Sequence, residues 1–199
     1  MADFLIQRVQ DLLIIFRKES RHDWFKHARQ SPPRAYLNEG LLRPALERYQ
    51  GHFYQVARER IREACGRGIH ILIISGGYGA LLPEEPIGNY EAAFSPNWWP
   101  KGLLSDVVRA YAAQHKISSV RAFVAASTTY RKAVASIDWS AAGINDVVVV
   151  SPQVSGGGAM IKSPRAQAQA FCAALDGELA DDWAIPDGIP VCAVSLSKQ

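Results

Sequence analysis

The segment Ile69-His-Ile-Leu-Ile-Ile-Ser-Gly-Gly-Tyr-Gly79, continued by Ala80-Leu-Leu-Pro-Glu-Glu-Pro-Ile-Gly-Asn-Tyr90, decides how this chain is to be folded. Its first half has the β-branched, apolar composition of a buried strand. That strand stops at Ser75 and gives way to three glycines in four positions. Large side chains are given up in this way where the backbone approaches something closely, as at a ligand site on the carboxyl end of a strand. The same five residues, Ser75 to Gly79, also suit a tight turn.

Working outward, apolar residues Leu42, Leu46, Tyr49, Phe53, Val56, Ala57 and Ile61 recur at helical spacing upstream. They predict one long helix to about Cys65, bent at Gly51. Gly66 and Gly68 end it. Downstream, Leu103, Leu104, Val107, Val108 and Tyr111 predict a helix introduced by Pro100-Lys-Gly102. Strands are predicted over Val120–Ala126 and Asp146–Val150, the latter buried on both faces by its run of four valines. A short helix is predicted over Arg131–Ile137. Ser163-Pro-Arg165 offers a cap and a first-turn proline for a helix running to about Leu179. Pro190–Ser195 suits a last, edge strand, and Asp11–Phe16 suits a strand or part of a helix. Strands alternating with helices predict an α/β fold: a mainly parallel sheet of about four to six strands flanked by helices, in a single domain over 1–199.

A chain of 199 residues with 48% hydrophobic and 21% charged residues is of ordinary globular composition. No apolar run approaches the ~20 residues of a membrane span. Asp3, Arg8 and Asp11 interrupt the apolar pattern a signal peptide needs, so a cytoplasmic location is expected. Cys65, Cys172 and Cys192 stand singly among apolar neighbours, as reduced core thiols do. The five histidines have no metal-ligand spacing, so neither a metal nor another cofactor is expected.

The net charge of +3 is unevenly spread. Residues 17–34 hold Arg17, Lys18, Arg21, Lys26, Arg29 and Arg34 against Glu19 and Asp23, and Trp24, Phe25 and Tyr36 lie in or beside them. Cations interleaved with rings suit a phosphate-rich partner, with Arg17, Lys18, Arg21, Lys26 and Arg29 as nucleic-acid contacts; a solvated helix face has the same composition.

If the strands are parallel, the endings at Ser75, at Ser127-Thr-Thr-Tyr130 and at Ser151-Pro-Gln153 share one edge of the sheet. Hydroxyls and glycine-freed amides there suit an anionic or polyhydroxylated ligand. Candidate ligand-binding residues are Gly76, Gly77, Tyr78, Gly79, Ser127, Thr128, Tyr130, Gly156, Gly157 and Gly158. Ser75, Glu85 and Tyr90 are the candidate catalytic residues, Glu85 as an acid/base or a ribose-binding group. The Ser75 segment matches neither the P-loop nor the G-x-G-x-x-G pattern. Trp98 and Trp99 suit a hydrophobic lid or an oligomer interface.

Ser75-Gly-Gly-Tyr-Gly-Ala-Leu-Leu-Pro83, followed by Glu85 and Tyr90, resembles the Ser-Gly-x-Tyr-Gly-x-Leu-x-Pro pattern of the YaaA family of peroxide-stress proteins and its shorter relatives. Tyr49-Gln-Gly-His-Phe-Tyr54, Ala126-Ser-Thr-Thr-Tyr130 and Gly158-Ala-Met-Ile-Lys162 resemble further family segments in the same order, so the likeness covers about residues 45–175. Leu82 stands where many members have Arg, and Phe16-Arg-Lys18 stands where many short relatives have a Ser/Cys-Lys turn. The resemblance implies DNA binding and DNA protection during oxidative stress. It brings no established reaction, and the cleft of hydroxyls beside Glu85 leaves a nucleotide- or nucleobase-processing enzyme acting at an N-glycosidic bond as the alternative.

Overall fold

The computed structural model describes residues 42–76, 78–89, 94–95, 102–178, 183–186 and 188–196. Along the chain come β1 (Arg43–Pro44), α1 (Ala45–Arg48), α2 (His52–Gly66), β2 (Ile73–Ser75), β3 (Gly79–Leu81), β4 (Pro86–Ile87) and α3 (Leu103–Gln114). Then follow β5 (Ser119–Phe123), α4 (Thr129–Ala135), a 3-10 turn (Ser140–Ala142), β6 (Asp146–Pro152), α5 (Ala159–Leu175) and β7 (Val191–Ser195). Residues pack into two compact units, one drawn from 42–48, 72–117 and 136–143, the other from 49–71, 118–135 and 144–196.

Helices and strands are mixed, as the sequence predicts, but the sheet is not a parallel one of four to six strands. The described strands form three small ladders: β1–β4, β2–β3, and β5–β6–β7. Only β5 and β6 run parallel; the other pairings are antiparallel. The reason lies in the glycine segment. Antiparallel strands can be joined by a few residues, whereas parallel neighbours need a crossover of a dozen or more. Ser75 pairs with Gly79, so the chain turns back within three residues and β3 lies against β2. Gly79 takes a left-handed φ of 74°, a conformation costly for any residue with a Cβ. Residues 119–150, in contrast, contain α4 and the 3-10 turn between β5 and β6, which is length enough for a parallel return.

In the first unit, Ala45 and Leu46 are held by amide bonds from Ala45 to Glu85 O (2.8 Å) and from Leu46 to Pro83 O (2.9 Å). Leu46, Leu81 and Ile87 are fully buried there, and α3 contributes the buried Val107, Val108 and Ala112, packing against β3 and the 3-10 turn. The helix predicted from Leu41 to Cys65 is broken instead of bent: Gly51 is extended (φ −62°, ψ 164°) and α2 starts after it.

The second unit is built on the three-stranded ladder. β6 alternates little and is almost wholly buried from Val147 to Pro152, as its valine run predicts, and β7 closes one side of it. α5 crosses this sheet on small residues. Ala166 and Ala170, both fully buried, meet Val150, Ile185 and Val191, with Phe123, Val148, Val154, Trp183 and Ile189 around them. Alanine at i and i+4 lets helix and sheet approach closely while larger strand residues fill the space. Phe171 of α5 meets Phe123 of β5 edge-on (5.4 Å) and Phe53 of α2 at a tilt (6.0 Å). Arg60 of α2 bonds Glu63 and also Asp176, just past the end of α5, tying the two helices at the surface.

α5 itself starts earlier than the sequence predicts. Ser163 is not its cap; Gly158 is, with φ 79°, and Pro164 lies inside the helix. Gly158 turns the chain into the helix without strain, so the first turn forms from Ala159-Met-Ile-Lys162 ahead of the proline. The helix ends at Leu175, not near Leu179.

The cysteines depart from a uniform core role. Cys65 and Cys172 are half-buried, while Cys192 is exposed on β7. Burial pushes the Cys172 thiol up from its ordinary value. The thiolate is the reactive species, so iodoacetamide at pH 8 is expected to label Cys192 well before Cys172, as read by peptide mass spectrometry. Equal rates would contradict the placement of these two thiols.

Candidate functional site: the carboxyl edge of the parallel pair

Ser75, Gly76, Tyr78, Gly79 and Glu85 lie in the first unit. Ser75 is buried, and its Oγ accepts a bond from the Tyr78 amide (3.1 Å), closing the hairpin turn. Tyr78 is buried as well, and its hydroxyl accepts from the Gly88 amide (2.9 Å), pinning the turn to the segment after β4. Glu85 accepts through Oε2 from the Leu82 amide (3.1 Å), while its own amide donates to Leu82 O (3.1 Å). The Glu85 carboxylate thus caps the Leu82–Glu85 turn. These groups satisfy one another, the arrangement expected of a locked loop. The strand before Ser75 is also not one of the parallel strands, so the expectation that the Ser75 ending shares an edge of one parallel sheet with the other two is corrected.

Tyr78→Phe tests this locking. It leaves the Gly88 amide without its acceptor in a buried place, which costs about 1–3 kcal/mol. The variant is expected to melt earlier by denaturant titration; unchanged stability would contradict the bond.

Gly77, Tyr90, the cations Arg17, Lys18, Arg21, Lys26 and Arg29, and the pair Trp98-Trp99 lie outside the described residues.

Ser127, Thr128, Tyr130, Gly156, Gly157 and Gly158 all belong to the second unit, and its topology does bring their two loops to one edge. Phe123 is opposite Val150 at the end of the parallel pairing, and the Val124 amide donates to Val150 O (3.2 Å). From there one loop runs through Ser127 into α4 and the other through Gly156–Gly158 into α5. Thr128 is a structural member: its Oγ1 donates to Ala125 O (2.8 Å) and accepts from the Arg131 amide (3.4 Å), capping α4. Ser127 and the three glycines are exposed, and Tyr130 is half-buried.

A cross-link joins the two loops. Ser151, 1% exposed, donates to Val124 O (2.7 Å) and accepts from Arg131 Nη1 (3.3 Å). Gln153 Nε2 donates to Ser151 O (3.1 Å). The half-buried Arg131 is thereby held across the ends of both strands, and the guanidinium donors that no described residue engages suit a planar or tetrahedral anion.

Charge is distributed to match. Residues 118–135 and 147–175 contain no Asp or Glu. In the stretches that form this edge they contain Arg131, Lys132, Lys162 and Arg165, the last three exposed. The described acids of this unit lie on other segments: Glu59 and Glu63 are on α2, paired with Arg62 and Arg60, Asp146 opens β6 and pairs with Arg121 (2.9 Å), and Asp176 and Glu178 follow the end of α5. Lys162 folds its aliphatic stem beside Gly158, where a Cβ would come within 3.6 Å of its Cε. Sequence reasoning missed these four cations because they fall in two small pairs far apart in the chain, Arg131-Lys132 and Lys162 with Arg165. The signal that finds them is the length of the acid-free runs beside two strand endings.

Among the described residues no group of three His, Cys, Asp or Glu is placed to hold a metal ion. No helix among them is long and apolar enough to cross a membrane. No family model matches this chain, and no curated protein or solved structure matches it.

Proposed function

We propose that this chain binds nucleic acid, with the phosphate backbone seated at the carboxyl edge of β5 and β6. The observation that supports this best is Arg131 fixed on Ser151 between two strand endings whose flanking segments hold four cations and no carboxylate. A phosphate there meets a guanidinium at fixed position, flexible ammonium groups and exposed amides of Gly156–Gly158, which is how backbones are positioned without base readout. The basic residues Arg17, Lys18, Arg21, Lys26 and Arg29 are further candidate phosphate contacts by composition, and the likeness to the YaaA family supports DNA binding and protection under peroxide stress as the proposed cellular role.

The geometry favours binding over catalysis by the Ser75 turn, since Ser75 and Glu85 are engaged in holding their own loops. A second reading keeps the edge and changes the guest. Adjacent parallel strand endings are where open α/β sheets take mononucleotides, and Ser127 with Arg131 suits a nucleotide phosphate in a nucleotide-processing enzyme.

Fluorescence anisotropy with a labelled duplex, titrated from low to high salt, separates the two. Backbone binding through four contacts gives a log–log salt slope of about −3.6. Absence of salt-sensitive binding, with a nucleoside phosphate raising the melting temperature instead, would transfer the site to the second reading.

A further inference from the structure

We propose that Met160 and Ile161 form an apolar wedge that enters the base stack of a duplex held at this edge, an inference that rests on the nucleic-acid function proposed above. Met160 is 90% exposed and Ile161 46%. Among the described residues the exposed large apolar ones are Leu42, Val56, Ile69, Leu82, Met160 and Ile161; Met160 is the most exposed of these by a wide margin, and of these only the last two are adjacent in sequence. They stand in the first turn of α5, while the helix buries the opposite requirement, its core contacts, through Ala166, Ala170 and Phe171 further on. Packing therefore does not explain two large side chains at this position.

Their surroundings select the occupant. Lys162 follows directly and Arg165 lies three residues on, both exposed, and no acid occurs between Val147 and Leu175. An apolar pair followed closely by two exposed cations, in a stretch of chain free of carboxylates, is complementary to a polyanion with an apolar interior, which is what a stacked duplex is. Proteins that insert Met, Ile, Leu or Phe between base steps unstack them partially and kink the duplex, and flanking Lys and Arg hold the phosphates on either side. A helix start with Met160 foremost and Lys162 and Arg165 behind presents that combination in one short segment.

The test is a duplex of roughly 25 base pairs, end-labelled with a donor and an acceptor dye, long enough for a kink of 20–90° to bring its ends measurably closer. Wild-type protein at saturation is expected to raise energy transfer. The double variant Met160→Ser/Ile161→Ser, folded as judged by its circular dichroism melt, is expected to bind with the same salt slope, three- to tenfold more weakly, and to leave energy transfer at the value of free DNA. A wild type that binds without bending, or a variant that bends DNA as well as wild type, overturns the wedge and leaves the nucleic-acid function standing. A wild type with no duplex binding in the anisotropy titration removes both. A wild-type dimer in sedimentation that the double variant abolishes, with bending unchanged, assigns the pair to self-association and overturns the proposal.

Discussion

Replacing Arg131, Lys132, Lys162 and Arg165 together by Glu is expected to abolish duplex binding at about 0.15 M salt, where the proposed function has the unsubstituted protein bind. Each phosphate contact contributes about 0.9 to the salt slope, so losing four contacts flattens it by about 3.6. Reversal adds repulsion to that loss, because four carboxylates then face the backbone where none stood before. Lys132, Lys162 and Arg165 are exposed, so their replacement leaves packing intact. Arg131 is half-buried and bonds Ser151, and for it Arg131→Gln in the same background keeps a donor within reach of Ser151 while removing the charge. Anisotropy at several salt concentrations reads the slope directly. A slope unchanged in the quadruple variant would mean that the phosphate contacts lie elsewhere, with the basic residues between Arg17 and Arg29 the first place to look.

Phe171→Ala is expected to cost more stability than any other change considered. Phe171 is 8% exposed and is the ring on which β5, through Phe123, and α2, through Phe53, both converge. Deleting a buried Phe costs about 3–5 kcal/mol, from lost transfer energy and from the cavity left behind, and each edge-to-face or tilted ring pair adds a part of that. The surrounding alanines, Ala166, Ala170 and Ala173, have no side chain to extend into the space, so the site collapses poorly. For a chain of this length the melting temperature falls by roughly 6–20 °C. The consequence reaches function, since α5 is seated on the sheet by these contacts and its first turn forms part of the proposed edge. A fall of under 2 °C in a calorimetric melt would contradict the aromatic junction as the fastening of α5.

What the sequence disclosed follows from what its patterns measure. The valine run before Ser151 specified a buried strand because burial on both faces leaves a direct compositional mark, and the structure has that strand. Alternation of helices and strands gave the mixed class correctly. Partner and direction left no such mark. Ile73–Ser75 has the same apolar composition whether its neighbour is parallel or antiparallel, and Ser75-Gly-Gly-Tyr-Gly79 serves a ligand loop and a three-residue hairpin loop equally well. The expected parallel sheet followed from choosing the first of these. Likewise Ser163-Pro164 is a sound helix start by local chemistry, yet Gly158 in a left-handed conformation starts the helix earlier, and tertiary packing of Ala166 and Ala170 on Val150 is what α5 satisfies.

The site was legible to the same uneven degree. Ser127 and Gly156–Gly158 were singled out because small polar residues after strands are a local signal, and the parallel pairing of β5 with β6 brings their loops to one edge. Glu85 and Ser75 were assigned chemistry by residue type, whereas their hydrogen bonds hold their own turns. Thr128 is an intermediate case, a hydroxyl on that same edge that caps α4. Arg131, Lys132, Lys162 and Arg165 were missed because pairs of them are separated by about thirty residues of chain and only strand pairing places them at a common edge.

The most direct test of that edge is a ¹⁵N-labelled spectrum recorded while a short duplex is added. The account predicts that amide shifts concentrate in 124–132 and 153–165, with the Gly156–Gly158 and Ser127 signals among those that move, and that Ser75 to Gly79 stay in place. Shifts confined to Ser75–Gly79 and the Glu85 turn, with 124–132 and 153–165 unmoved, would contradict it.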